Sequence, residues 1–170
     1  MIILGIDPGS VRIGFGVVRK SYGKLICVDG GLFNVPAVLK DYNRLISAER
    51  EIKKILDKFK PDLVGIEKVF FVSNQKTAIR VIETRGVIIK SIAERSIPII
   101  ELAPTEIKLA VTGDGKADKK AIAKLVLLSL NIGSHESRAK KWPDDVFDAL
   151  AIAIASSTRA IHIKSLVEKN

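Results

Sequence analysis

Two short apolar runs of this chain close on a carboxylate. "IILGID" ends at Asp7 and "DLVGIE" ends at Glu67. Between their ends both read as strands covered on two faces, where an unpaired charge is costly. If the two strands are parallel neighbours they lie about 4.8 Å apart, with both carboxyl groups at one edge of the sheet. Open α/β sheets place their ligands at that edge. Two acids so close repel each other and raise a pKa unless a cation stands between them. A divalent metal meets that need.

A third segment, "WPDDVFDALAIAIAS", supplies Asp144, Asp145 and Asp148 ahead of a run of small apolar residues. On a helix Asp148 shares a face with either Asp144 or Asp145, and also with Ile152 and Ala155, so it points inward. Acids in a first helical turn also complement the helix dipole, which accounts for Asp144 but not for Asp148, one turn further in. Ala149, Ala151, Ala153 and Ala155 allow the helix to come close to a sheet. The candidate cluster is Asp7, Glu67, Asp145 and Asp148. An all-oxygen set of this kind suits Mg²⁺, with Mn²⁺ as a substitute, rather than zinc. Two such ions about 3.5–4 Å apart activate water and stabilise a leaving oxygen in phosphodiester cleavage.

The elements that must carry these acids follow from pattern and punctuation. Strands are expected over Ile2–Ile6, Ile13–Arg19 and about Leu25–Phe33, joined by turns at Pro8-Gly9-Ser10 and Ser21–Lys24. A helix over Lys40–Phe59 shows Leu45, Ile52, Ile55, Leu56 and Phe59 on one face and stops at Pro61. The strand 62–67, a long helix over Asn74–Arg95, a short strand in "SIPIIEL" and a helix opened by Pro104 come next. Helices over Asp118–Leu130 and Asp144–Arg159 complete the order, with the tail beyond Arg159 expected to be loosely held. The predicted class is α/β: a mixed five-stranded sheet with helices on both faces, in one domain spanning 1–170.

Bulk composition narrows the partners. Lys and Arg number 28 against 19 Asp and Glu, a formal charge of +9. So basic a globular chain points to a polyanion, most often nucleic acid. Cys27 is the only cysteine, which excludes an intrachain disulfide and a cysteine-rich zinc site. No apolar run approaches the ~20 residues that span a bilayer, and Asp7 interrupts the first one too early for a signal peptide. These features lead to the expectation of a cytoplasmic protein with no membrane association.

At this point the motifs resemble a known family. "GIDPGSVRIGFGVV", "GIEKVFFVSNQKTAIRVIETRG", "APTEIKLAVTGDGKADK" and "DDVFDALAIAIA" are similar, in order and spacing, to the signatures of the RuvC crossover-junction endonucleases. The resemblance covers nearly the whole chain. It implies a ribonuclease H-like fold and a homodimer that resolves four-way (Holliday) DNA junctions in recombination and repair. Two opposing strands would be nicked by Mg²⁺-dependent hydrolysis, with about two ions per site. It matches Asp7, Glu67, Asp145 and Asp148 to the family's catalytic acids, and so selects Asp145 over Asp144. Some relatives carry a histidine near the last acid; here none follows Asp148. Docking to a RuvAB-like branch-migration complex is a further implication.

Around the acids, Phe70 and Phe71 follow the strand that ends at Glu67. One belongs in the core and the other can stack on an unpaired base, worth about 1–3 kcal/mol; the resemblance favours Phe70. "TGDGKADKK" reads as a mobile loop whose Lys116, Lys119 and Lys120 reach phosphate, with Gly113 and Gly115 allowing close backbone approach. The resemblance adds Lys108 and again Lys119 near the scissile phosphate. Arg12 and Arg80 are further phosphate candidates. The 74–95 helix carries two apolar stripes, one through Ile79, Ile82, Gly86, Ile89 and Ala93 and one through Ala78, Val81, Ile88 and Ile92. One stripe can cover the sheet and leave the other for a second copy, with Gly86 marking close packing. His135 and His162 lack acidic partners at ligand spacing and are expected at the surface, while Trp142 packs over the start of the last helix.

Three other functions compete. A YqgF-like ribonuclease H-fold nuclease acting on RNA shares the opening motif. A nucleotide-binding domain of the actin and Hsp70 type needs a second lobe for which this chain lacks room. A non-catalytic junction binder has no need of the acid cluster.

Overall fold

A computed structural model describes residues 1–36, 41–69 and 75–167, with side chains as far as Arg159. Strands β1 (Ile2–Asp7), β2 (Arg12–Ser21) and β3 (Lys24–Asn34) form an antiparallel meander. Helix α1 (Asp41–Phe59) leads to β4 (Leu63–Glu67), which pairs parallel to β1. Helix α2 (Gln75–Ala93) leads to β5 (Ile99–Leu102), parallel to β4. The sheet order is β3-β2-β1-β4-β5. Helices α3 (Pro104–Thr112), α4 (Lys119–Ser129), α5 (Glu136–Ala139) and α6 (Asp144–Val167) follow, with a 3₁₀ turn over Gly133–His135. This is the expected mixed five-stranded sheet of a ribonuclease H-like fold.

Strand alternation splits the core in two. Leu4, Ile6, Val17, Val64 and Ile66 face α1 and α2, packing on Ile52, Leu56, Ile88 and Ile92. On the opposite face Ile3, Val18 and Leu63 meet α4 and α6 through Ile122, Val126, Leu150 and Ile154. Residues Ala149 to Ala155 of α6 are all buried, so this helix lies directly on the sheet. The strands make room for it with glycines. Gly65, Gly5, Gly16 and Gly30 stand side by side across β4, β1, β2 and β3. A Cβ on Gly5 would lie 2.0 Å from the Ala149 carbonyl oxygen, and one on Gly16 would lie 2.7 Å from the Leu150 nitrogen. Gly14, paired in register with Asp7, would push a Cβ to 2.0 Å from the Asp145 carbonyl oxygen. Only hydrogen can occupy these positions with α6 where it is.

Several expectations need correction. Leu45 is half-buried rather than central to the α1 face, and Arg44 takes its place, 1% exposed. The Arg44 guanidinium donates to Thr84 Oγ1 at 2.7 Å, Glu83 at 2.9 Å, the Arg80 carbonyl at 3.3 Å and the Ser10 carbonyl at 3.4 Å. A buried charge is tolerated because α2 and the loop after β1 both offer it acceptors. The 3₁₀ turn and α5 were not anticipated, because "GSHESRA" carries no apolar period. They are held instead by Arg138, which bonds Asp29 and the Gly30 carbonyl of edge strand β3. Helix α6 also runs on past Arg159 to Val167 rather than ending there.

On α2 the second stripe is the one that turns inward, with Ile88 and Ile92 fully buried. Ile79 and Ile82 of the first stripe stay 58% and 56% exposed. A Cβ on Gly86 would meet nothing within 4 Å, so within this chain the glycine serves no close contact.

Candidate active site

The carboxyl end of β1 and the carboxyl end of β4 lie side by side because Gly5 pairs with Gly65 and Ile6 with Ile66. The next residues along these strands are Asp7 and Glu67. Across the edge, the first turns of α6 are pressed onto Gly14, which brings Asp145 and Asp148 over the same point. Asp7, Glu67, Asp145 and Asp148 line one cavity of about 330 Å³, together with Lys108, Lys119, Pro104, Ile107, Ile122 and Ile152. Asp144 does not line it; its side chain is mostly exposed and stands 3.8 Å from Lys119.

The charge in the cavity is poorly balanced. Burial pushes the Asp7 carboxyl up from 3.8 to about 7, and the neighbouring Glu67, Asp148 and Asp145 carboxylates add to the shift. Glu67 is also raised, first by burial and then by Asp148, while a hydrogen bond with Asp7 pulls it back. A hydrogen bond thus joins the two strand acids, and each holds its proton more firmly than an ordinary carboxyl group does. Asp148 is raised by burial against the opposing pull of Lys119, whose ammonium lies 3.5 Å away. The same proximity to Asp148 raises Lys119. Asp145 accepts a charge-assisted hydrogen bond from Arg12 at the start of β2.

Each acid thus turns to a partner within the chain. Among the described residues no three His, Cys, Asp or Glu side chains stand together as a ready metal-binding group. The donor set nevertheless fits a hard divalent cation on two counts. All four candidate donors are carboxylates, and Asp7, Glu67 and Asp148 are each raised by burial and neighbouring carboxylates even with Lys108 and Lys119 in the wall.

The other candidates fall at different distances from this point. Lys108 and Lys119 line the cavity. Lys116 and Lys120 are exposed beside it in sequence but are not part of its wall. Their loop is pinned by Asp114, which accepts from the Lys116 amide at 2.8 Å, and by Asp118, which caps α4 through the Ala121 amide at 2.8 Å. Gly113 is needed as the left-handed C-cap of α3, with φ of 77°. Arg80 is half-buried on α2 and is not in the cavity wall. Phe70 and Phe71 lie outside the described residues. His135 packs on Trp142, which in turn meets Phe147 edge-on at 5.9 Å at the start of α6, as expected for that tryptophan. Arg44 and the Arg12–Asp145 pair were missed as structural contacts. The β-strand alternation of Arg12 and Gly14 was the available signal for the second.

Comparison with known proteins shows the family and the fold. Residues 3–156 match the family described as crossover junction endodeoxyribonuclease RuvC. A protein of that name from Prochlorococcus marinus (strain MIT 9211) is 37% identical over 156 residues, covering 92% of this chain and 95% of the relative. The structure of Thermus thermophilus RuvC superposes with a TM-score of 0.81 at 27% identity, over 95% of this chain and 96% of that one. The same fold recurs in T. thermophilus RuvC in complex with Holliday junction substrate, with a TM-score of 0.81, 24% identity and coverage of 95% and 96%.

Proposed function

This chain belongs to the RuvC family of crossover junction endodeoxyribonucleases, and from that premise we propose that its acid-lined cavity cleaves four-way DNA junctions. The convergence of Asp7, Glu67, Asp145 and Asp148 from three elements onto one edge, beside Lys108 and Lys119, carries the reading. The chain is an endonuclease that resolves Holliday junctions in recombination and repair. The RNA-acting alternative is not favoured, because the RuvC match runs from residue 3 to 156.

Mg²⁺ is the expected cofactor, with two ions per site and Mn²⁺ as a substitute. Bound there, the metal supplies an activated water and charge stabilisation at the leaving oxygen. Asp7 and Glu67 hold it from the sheet, and Asp145 and Asp148 hold it from α6. For Asp7 to serve as a ligand it must release the proton it keeps near neutral pH. Lys108 and Lys119 are placed to hold the scissile phosphate against the carboxylates. Lys116, Lys120, Arg12 and Arg80 would carry the flanking phosphates, and Phe70 would stack on an unpaired base.

Cleavage on two opposing strands needs two such sites. The exposed Ile79 and Ile82 beside Gly86 favour a homodimer through α2. No helix among the described residues is long and apolar enough to cross a membrane. Action in the cytoplasm and docking to a RuvAB-like complex belong to the same proposed reading. The deciding experiment is incubation of a synthetic mobile four-way junction with the protein, with and without Mg²⁺. Symmetric nicks on opposite strands, present only with the metal and absent for Asp7→Asn despite retained junction binding, are expected. Cleavage by Asp7→Asn at the wild-type rate overturns the assignment.

A further inference from the structure

Strand alternation puts Arg12 on the same face of β2 as Gly14, two residues on. That is the face on which α6 lies, and Gly14 is in contact with the Asp145 backbone and Cβ. The Arg12 side chain, 52% exposed, therefore meets the Asp145 carboxylate, 28% exposed, at the mouth of the acidic cavity. The neighbouring acid of α6, Asp148, is engaged in the same way by Lys119 at 3.5 Å. Both α6 acids of the site are thus held by cations of the chain itself.

An Arg–carboxylate pair of this kind competes with a divalent ion for the carboxylate. The guanidinium takes up one acceptor site on Oδ2, and its charge repels an incoming cation. Backbone phosphate is the other anion that a half-exposed arginine at a DNA-binding surface can engage. We propose that Arg12 is a positioning residue that exchanges partners: it closes on Asp145 in the free protein and moves to a DNA phosphate on the bound junction. Asp145 is thereby released to the metal only when substrate is present. The proposal rests on the metal-site reading above and deepens it. By linkage, the factor by which bound DNA tightens metal binding through this exchange equals the factor by which bound metal tightens DNA binding.

Two measurements on the whole protein test it. First, free Mn²⁺ is followed by electron paramagnetic resonance during titration of wild type, Arg12→Gln, Arg12→Lys and Asp7→Asn without DNA. Loss of one half-exposed ion pair and of its repulsion predicts Mn²⁺ binding about three- to tenfold tighter in Arg12→Gln. Arg12→Lys, which restores the charge, should return to within about twofold of wild type. Second, four-way junction affinity is measured in EDTA for Arg12→Gln, Asp145→Asn and the double variant. Asp145→Asn should tighten junction binding in the wild-type background, by freeing Arg12, and do so less in the Arg12→Gln background. Unchanged or weaker Mn²⁺ binding by Arg12→Gln, or strictly additive effects on junction affinity, overturns the exchange. Asp7→Asn that binds Mn²⁺ as tightly as wild type overturns instead the metal-site reading on which the exchange depends. Arg12 is half exposed, so its variants are expected to unfold within a degree or two of wild type, which thermal melts check.

Discussion

Replacing Asp7 by asparagine should make the metal-free protein more stable as it removes its activity. Asp7 binds its proton more tightly folded than unfolded, with a value raised from 3.8 to about 7. For an acid raised in this sense, the contribution to stability is complete below 3.8 and is lost as pH climbs through about 7. At 1.36 kcal/mol per unit the shift corresponds to about 4 kcal/mol held against the folded state above neutrality. Asparagine carries no such penalty and retains the size and a donor for Glu67. In EDTA at pH 8, Asp7→Asn should therefore melt above wild type by about 8–16 °C, from about 2–4 °C per kcal/mol for a chain of this size. At pH 4.5 the two melting curves should nearly coincide. Adding Mg²⁺ at 100 times its Kd should stabilise wild type by about 2.7 kcal/mol and the variant less, which narrows the gap. Differential scanning calorimetry across pH, with and without the metal, reads all three effects. Equal melting temperatures at pH 8 in EDTA, or a gap that does not shrink toward pH 4.5, would refute the account of Asp7 as an acid under unrelieved electrostatic load.

Three further outcomes follow from packing and pairing. Gly5→Ala forces a methyl group into the Ala149 carbonyl and should cost about 3 kcal/mol by chemical denaturation, the upper part of the usual overpacking range. Arg44→Met takes a donor from the Ser10 carbonyl and from Thr84 Oγ1, which keeps its own bond to the Arg80 carbonyl. It should cost about 2 kcal/mol in the same assay, and Arg44→Lys should recover less than half, because an ammonium cannot reproduce the planar fork. Asp29 is pushed up by burial, but hydrogen bonds from Arg138 and Lys58 outweigh this and hold it below its ordinary value. Its contribution is present above pH 3.8 and lost as pH falls through the lowered value. Asp29→Ala should thus speed hydrogen exchange across 133–141 at pH 7, with the difference fading in acid.

Three of the four acids could be read from residue order alone, whereas Asp145 was chosen over Asp144 only by the family resemblance. Asp7 and Glu67 stood out as charges closing apolar strands, and Asp148 as an acid on the apolar face of its helix. Parallel pairing of β1 and β4 then followed from their shared "GI-acid" ends, and the register bears this out at Gly5–Gly65 and Ile6–Ile66. What escaped was whatever depends on partners distant in sequence. Arg44 looks like a surface charge until α2 and the Ser10 carbonyl are placed around it. Residues 133–139 have no apolar period, and their anchor is Asp29, about a hundred positions earlier. Arg12 was legible as a cation near phosphate, but its engagement of Asp145 required β2 and α6 to be set face to face.

The row of glycines beneath α6 has a bearing on how this site tolerates change. At Gly5, Gly14 and Gly16 the distance between the sheet acids and the helix acids is set by strand resting on helix backbone, while Gly65 meets the side chains of Ser156 and Ile152. Such a spacing is indifferent to substitutions elsewhere in the core, yet it has no graded response to substitutions within the row. A single methyl group at Gly14 would lift Asp145 away from Asp7 without touching either carboxylate. Loss of function in this molecule is therefore expected to map onto residues that have no side chain at all. A survey of random inactivating variants should recover Gly5, Gly14, Gly16 and Gly65 alongside the four acids.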